Sequence, residues 1–83
     1  MGAGRDHREV LNDLPPSCKL VYKVLAWSDE DLSKDEIAKR THLGDSTTGY
    51  ALRRLREESL VDMQRDLVDA RRHRYKIRCN NGD

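Results

Sequence analysis

Eighty-three residues make room for one small domain with a single core and little space for a substrate pocket. Charged side chains are 37% of the chain and hydrophobic ones 36%, with no Phe and one Trp, which predicts a thin aliphatic core and excludes a membrane-spanning run. The net charge of +1 hides an asymmetry: Ser46 to Arg78 holds eight arginines and one lysine against five acids, a candidate polyanion-facing half unless the charges are only interspersed for solubility.

Residues 1–9, "MGAGRDHRE", are polar and expected to fray. Gly2 could begin a myristoylation signal, but Asp6 stands where that signal needs Ser or Thr, so no lipid anchor is expected. "VLNDL", residues 10–14, is a short apolar patch that can pack on the body or mediate self-association. Residues 1–14 read as a partly disordered extension, 15–78 as the domain and 79–83 as a flexible tail. With no signal-peptide pattern, a cytoplasmic protein with reduced thiols at Cys18 and Cys79 is expected.

"PPSCKLVYKVLAW" predicts the first helix of the domain. Proline suits a first helical turn, and Leu20, Val21, Val24, Leu25 and Trp27 recur at the 3.6-residue period. "SDEDL" then forms a polar turn that can flow into a very short strand at Leu32. "SKDEIAKR" carries a capping box, Ser33 with Glu36, and opens a short second helix over Lys34 to Thr41 with Ile37 and Ala38 inward. Acids in its first turn and bases in its last suit the helix dipole.

"HLGD" is a tight turn, after which Asp45 or Ser46 can cap a third helix. By period, Thr48, Ala51, Leu52 and Leu55 face inward. Ser46, Thr47, Gly49, Tyr50, Arg53, Arg54 and Arg56 face outward. Extended segments follow. "LVDMQRDLV" alternates around Val61 and Met63, and "RHRYKIRC" sets His73, Tyr75 and Ile77 against Arg74, Lys76 and Arg78. Joined by the polar loop Asp69 to Arg72, they predict an antiparallel hairpin with one wet face.

Two short helices around a Gly-containing turn are a helix-turn-helix, and a hairpin directly after the second is a wing. The expected class is α+β, mainly α: three helices followed by a two-stranded antiparallel wing. In a DNA-binding version the second helix of the pair enters the major groove. Ser46, Thr47 and Gly49 permit close approach, and the helix N-terminus offers amides to a phosphate. Arg53 and Arg54 can reach guanine edges or phosphates, or can pair with Glu57 and Glu58 at helical spacing. Tyr50 can touch DNA or pack beside the wing. Arg71 and Arg72 at the wing tip, with Arg74 on the wet face, complete the candidate set. Lys39 and Arg40 can touch phosphates or form a solvated face.

His42 and His73 read as structural, and both cysteines as packing residues. No phosphate-binding glycine loop, nucleophile elbow or Cys/His pair at metal spacing is present, so neither catalysis nor a cofactor is expected.

"LSKDEIAKRTHLGDSTTGYALRRLREESLVDMQRDLVDARRHRYKI" resembles a MarR-type winged helix, and with "PPSCKLVYKVL" before it is similar to small archaeal proteins of that type. The resemblance implies a winged-helix transcriptional regulator that binds double-stranded DNA, with the third helix as recognition helix and Asp69-Ala70-Arg71 as wing loop. The chain departs from the family pattern at Ser59, where the family usually has glycine at the end of the recognition helix. The long terminal helices that dimerise full-length MarR proteins are not expected to fit in this length, so the family's dimerisation and effector pocket are not carried over, although a thin core favours a homodimer. A second function class remains open, a winged helix that contacts protein in a transcription or replication assembly, given the modest net charge and the acidic run Asp29-Glu30-Asp31. Recognition of left-handed nucleic acid is set aside, because only Tyr50 of the residues it wants is present.

Overall fold

In the computed structural model, residues 7–68 and 72–78 are described, the side chains of His7 and Arg8 excepted. Residues 69–71, which include Arg71, and Cys79 lie outside them. The elements are α1 (His7–Asn12), α2 (Pro16–Trp27), β1 (Leu32–Ser33), α3 (Lys34–Thr41), α4 (Asp45–Glu57), β2 (Val61–Arg65) and β3 (His73–Ile77).

Residues 7–12 are helical, where polarity alone predicts fraying up to residue 9. Val10 and Leu11 pack against the core and Leu14 is buried in it, so burial of the apolar patch gives this short helix what its own length does not. In α2, Cys18, Val21 and Leu25 form the buried stripe. Leu20 and Trp27, which fit the apolar period equally well, are exposed, Trp27 to 79%. Periodicity identifies an apolar helix but not which of two adjacent stripes meets the core. Here Cys18 completes the inward stripe in their place.

The capping box of α3 forms as its residues predict. The Ser33 amide donates to Glu36 Oε1 at 2.8 Å, and the Glu36 amide donates to Ser33 Oγ at 3.2 Å. The helix ends at His42 in the left-handed conformation, φ 61°, and the Thr41 hydroxyl donates back to the Ile37 carbonyl at 2.8 Å. The chain then enters α4 through Gly44, not through Asp45 or Ser46 as cap, and no side-chain hydrogen bond caps the helix. Asp45 is already helical and pairs with Lys34 at 3.3 Å, which takes its carboxylate away from the capping role. The Thr48 hydroxyl donates to the Gly44 carbonyl at 2.8 Å and stiffens this first turn.

Helix α4 buries Thr48, Ala51, Leu52 and Leu55, the stripe its period predicts. Its end is a Schellman turn: Ser59 is left-handed at φ 61°, its amide donates to the Arg56 carbonyl, and the Leu60 amide donates to that of Leu55. The chain leaves this turn as β2. Strands β2 and β3 pair antiparallel with Met63 opposite Tyr75, and β1 adds to the far side of β3 with Leu32 also opposite Tyr75. The wing is therefore part of a three-stranded sheet in the order β1-β3-β2, because the short strand expected at Leu32 finds a partner. Ile37, Leu52, Leu55 and Leu60 fill the centre between α2, α3, α4 and the sheet, and Tyr75 and Ile77 close it from the sheet side.

Candidate nucleic-acid interface

The outward face of α4 begins with Ser46 and Thr47, both exposed in the uncapped first turn. Gly49 lies one turn on and is partly covered. A side chain there would meet the Lys34 ammonium at 3.2 Å, so glycine lets Lys34 cross from α3 to Asp45. Lys34 is thus a clasp between the two helices of the motif. The capping-box reading uses it only as a first helical residue, and the clasp depends on a contact between residues eleven apart.

Tyr50 and Arg54, one turn apart, act as a pair. Arg54 Nη1 donates to the Tyr50 hydroxyl at 3.0 Å, and the guanidinium carbon is 6.0 Å from the ring centroid. That hydrogen bond raises the Arg54 pKa further above its ordinary value, so the charge is permanent. Arg54 is only 33% exposed, whereas Arg53 is 75% exposed. Glu57 reaches both, at 3.4 Å from Arg53 and 3.9 Å from Arg54. The two arginines that sequence spacing treats alike therefore differ: Arg53 is open to a partner, and Arg54 is held against its own helix.

Two arginines of the wing, Arg72 and Arg74, reach back to the body. Arg72 Nη2 donates to Ser33 Oγ at 3.3 Å. Arg74 Nη1 donates to the Asp31 carbonyl at 2.9 Å and Nε to Asp66 Oδ2 at 3.3 Å. Asp66 also accepts from the Val68 amide at 2.8 Å, and its own amide donates to the Arg72 carbonyl, so Asp66 closes the loop that joins the two strands of the wing. Both arginines lower the Glu36 pKa, after the larger effect of its hydrogen bond with the Ser33 amide. The candidates Ser46, Thr47, Tyr50 and Arg53 thus share one open helix face, while Arg72 and Arg74 bind the wing to β1 and the start of α3.

Two basic residues outside the candidate set flank the site. Arg56 and Arg78 join Arg53 around a groove of ≈ 480 Å³ between the second half of α4 and β2, with Glu57 and Asp62 on its walls. Arg78 Nε lies 3.6 Å from Asp62 Oδ1. The alternation of "RHRYKIR" already puts Arg78 on the wet face, and Arg56 follows Arg53 by one turn. Neither fact reveals the groove, which needs the helix-to-sheet packing. Cys18 is fully buried beneath the site, and burial raises its thiol pKa despite the nearby Arg54 charge.

No model of a known protein family matches the chain, and no curated protein matches it in sequence. Solved structures do. The PcaV transcriptional regulator of Streptomyces coelicolor, crystallised with its natural ligand, is 24% identical with a TM-score of 0.75 over 84% of this chain and 48% of that one. MepR of S. aureus in its DNA-binding conformation is 23% identical with a TM-score of 0.71 over 87% of this chain and 53% of that one. A MarR family transcription regulator at only 12% identity still gives a TM-score of 0.74 over 82% of this chain and 44% of that one. The chain spans about half the length of these structures. The first and third of these are named as transcriptional regulators. At these levels of identity the likeness speaks for the fold, and this chain has the winged helix-turn-helix fold of those MarR-type structures.

Proposed function

We propose that the chain binds double-stranded DNA in a sequence-specific manner through α4 and regulates transcription as a homodimer. The observation that carries this reading is the mounting of α4. One stripe is fixed in the core, and the opposite face, with Ser46, Thr47, Tyr50 and Arg53, stays open beside a wing. Small hydroxyls at the helix start allow close approach to base edges, and the uncapped amides there favour a phosphate. Arg53 supplies a long donor for guanine or phosphate. The groove arginines Arg56 and Arg78 extend the positive surface along the second half of the helix. Contacts to phosphate dominate affinity, and contacts from α4 give the sequence preference.

Fluorescence anisotropy with a labelled random duplex in rising salt tests this. A DNA binder shows non-specific affinity at low salt that falls steeply and log-linearly with salt. Absence of binding at low salt would contradict it.

A second reading, a winged helix that contacts protein, draws on the wing. Leu67 and Val68, just after β2, are fully solvated apolar side chains, and Arg72 and Arg74 are occupied within the fold. The same titration separates the two.

A further inference from the structure

We propose that the exposed face of α2 formed by Leu20, Val24 and Trp27 is the contact between two copies of this chain. It gives the proposed homodimer its contact face, and it is independent of what α4 binds.

At the helical period these three positions, i, i+4 and i+7, form one stripe. The buried stripe Cys18, Val21 and Leu25 occupies another side of the helix. Leu20 and Trp27 contribute little to the core, at 40% and 79% exposure, while Val24 is half-buried between them. A large exposed aromatic aligned with exposed and half-buried aliphatic neighbours forms a contiguous apolar stripe, and Trp is among the residues most enriched at the centres of interfaces. Lys23 sits at the edge of the stripe with its ammonium 6.0 Å from the Trp27 ring, a polar rim to an apolar centre.

Charge selects a second copy as the occupant. Asp29 and Glu30 lie exposed just past the C-terminal end of α2. Lys19 lies in its first turns, and the N-terminus has no side-chain cap at Pro15. Two α2 helices packed antiparallel about Val24 bring Leu20 of each copy to Trp27 of the other. The same register carries the acids of each copy to the other's Lys19 and positive helix end. Each contact then occurs twice about a two-fold axis, so the surface is complementary to itself. Parallel packing would place acids against acids.

Trp27 is the single tryptophan of the chain and reports on this face directly. Sedimentation velocity and tryptophan emission are followed from low micromolar to high concentration, without DNA. The wild type is expected to pass from monomer to dimer with a blue shift of emission. Leu20→Glu abolishes both changes, and Trp27→Glu weakens association at least about tenfold by sedimentation. Both substitutions lie at solvated positions, and circular dichroism verifies the fold. Lys19→Glu and Asp29→Lys each weaken the dimer, and the two together restore it. A wild type that stays monomeric overturns the homodimer itself. A dimer untouched by Leu20→Glu, or without a spectral shift, overturns this face while leaving a dimer.

Discussion

The Leu60 amide donates to the Leu55 carbonyl at 2.9 Å across Ser59, whose φ of 61° is a conformation that side chains rarely adopt. Both leucines are fully buried, so this turn fixes where α4 ends and β2 begins. Glycine would hold the same conformation without the Cβ penalty. Ser59→Gly is therefore expected to stabilise the fold by about 1 kcal/mol, raising Tm by about 4–8 °C. Ser59→Val should lower Tm. Thermal melts followed by circular dichroism check both, and an unchanged or lower Tm for Ser59→Gly would contradict the strain.

Arg74 joins the wing to the loop before β1 through its hydrogen bond to the Asp31 carbonyl, and braces the wing internally through Asp66. Because it is partly exposed, solvent weakens these contacts. Arg74→Ala is expected to cost about 1 kcal/mol globally. A larger effect is expected locally, as faster amide hydrogen exchange in β2 and β3 than in α4. Uniform acceleration across the chain would show that Arg74 acts on the whole fold and not on the wing.

Glu36 gives the fold an acid limit. Its carboxyl is held below the ordinary carboxylate value by the Ser33 amide first, with Arg74 and Arg72 adding to it. A depressed folded pKa stabilises fully above the unfolded value of about 4.3, and that stabilisation is lost as pH falls from there through the folded value. Melts between about pH 3 and pH 6 should show Tm falling in this window for the wild type. Glu36→Gln should be less stable at neutral pH and flatter with acid. Equal slopes for the two proteins would remove Glu36 from the account.

Tyr50 and Arg54 should act on DNA as one unit, given their 3.0 Å hydrogen bond. Tyr50→Phe, Arg54→Ala and the double variant form a thermodynamic cycle. If Tyr50 works by aiming Arg54, the double variant loses little more affinity than Arg54→Ala alone, with a coupling of about 0.5–1 kcal/mol. Strict additivity of the two losses would mean that each residue meets DNA independently.

Much of this architecture is legible in the residues because it is local. The capping box Ser33–Glu36 and the buried stripe of α4 follow from spacing within one or two turns, and the helix end at Ser59 is marked by the family resemblance. What the sequence conceals depends on contacts between distant residues. The helix at His7–Asn12 forms because Val10, Leu11 and Leu14 find the core. Leu20 and Trp27 fit the helical period as well as Val21 and Leu25 do, and only the packing of Cys18 separates the stripes. Arg72 and Arg74 read as free wing cations until Ser33 and Asp31 are brought beside them. Arg53 and Arg54 look equivalent until Tyr50 takes one of them.

The central claim is that the open face of α4 meets DNA, and binding of Arg53→Ala/Arg54→Ala to a selected duplex over a range of salt tests it most directly. The account predicts a loss on the order of tenfold or more at moderate salt, together with a shallower dependence of log affinity on log salt, by about one unit for each phosphate contact removed. A correctly folded double variant that binds with wild-type affinity and an unchanged salt slope would contradict it.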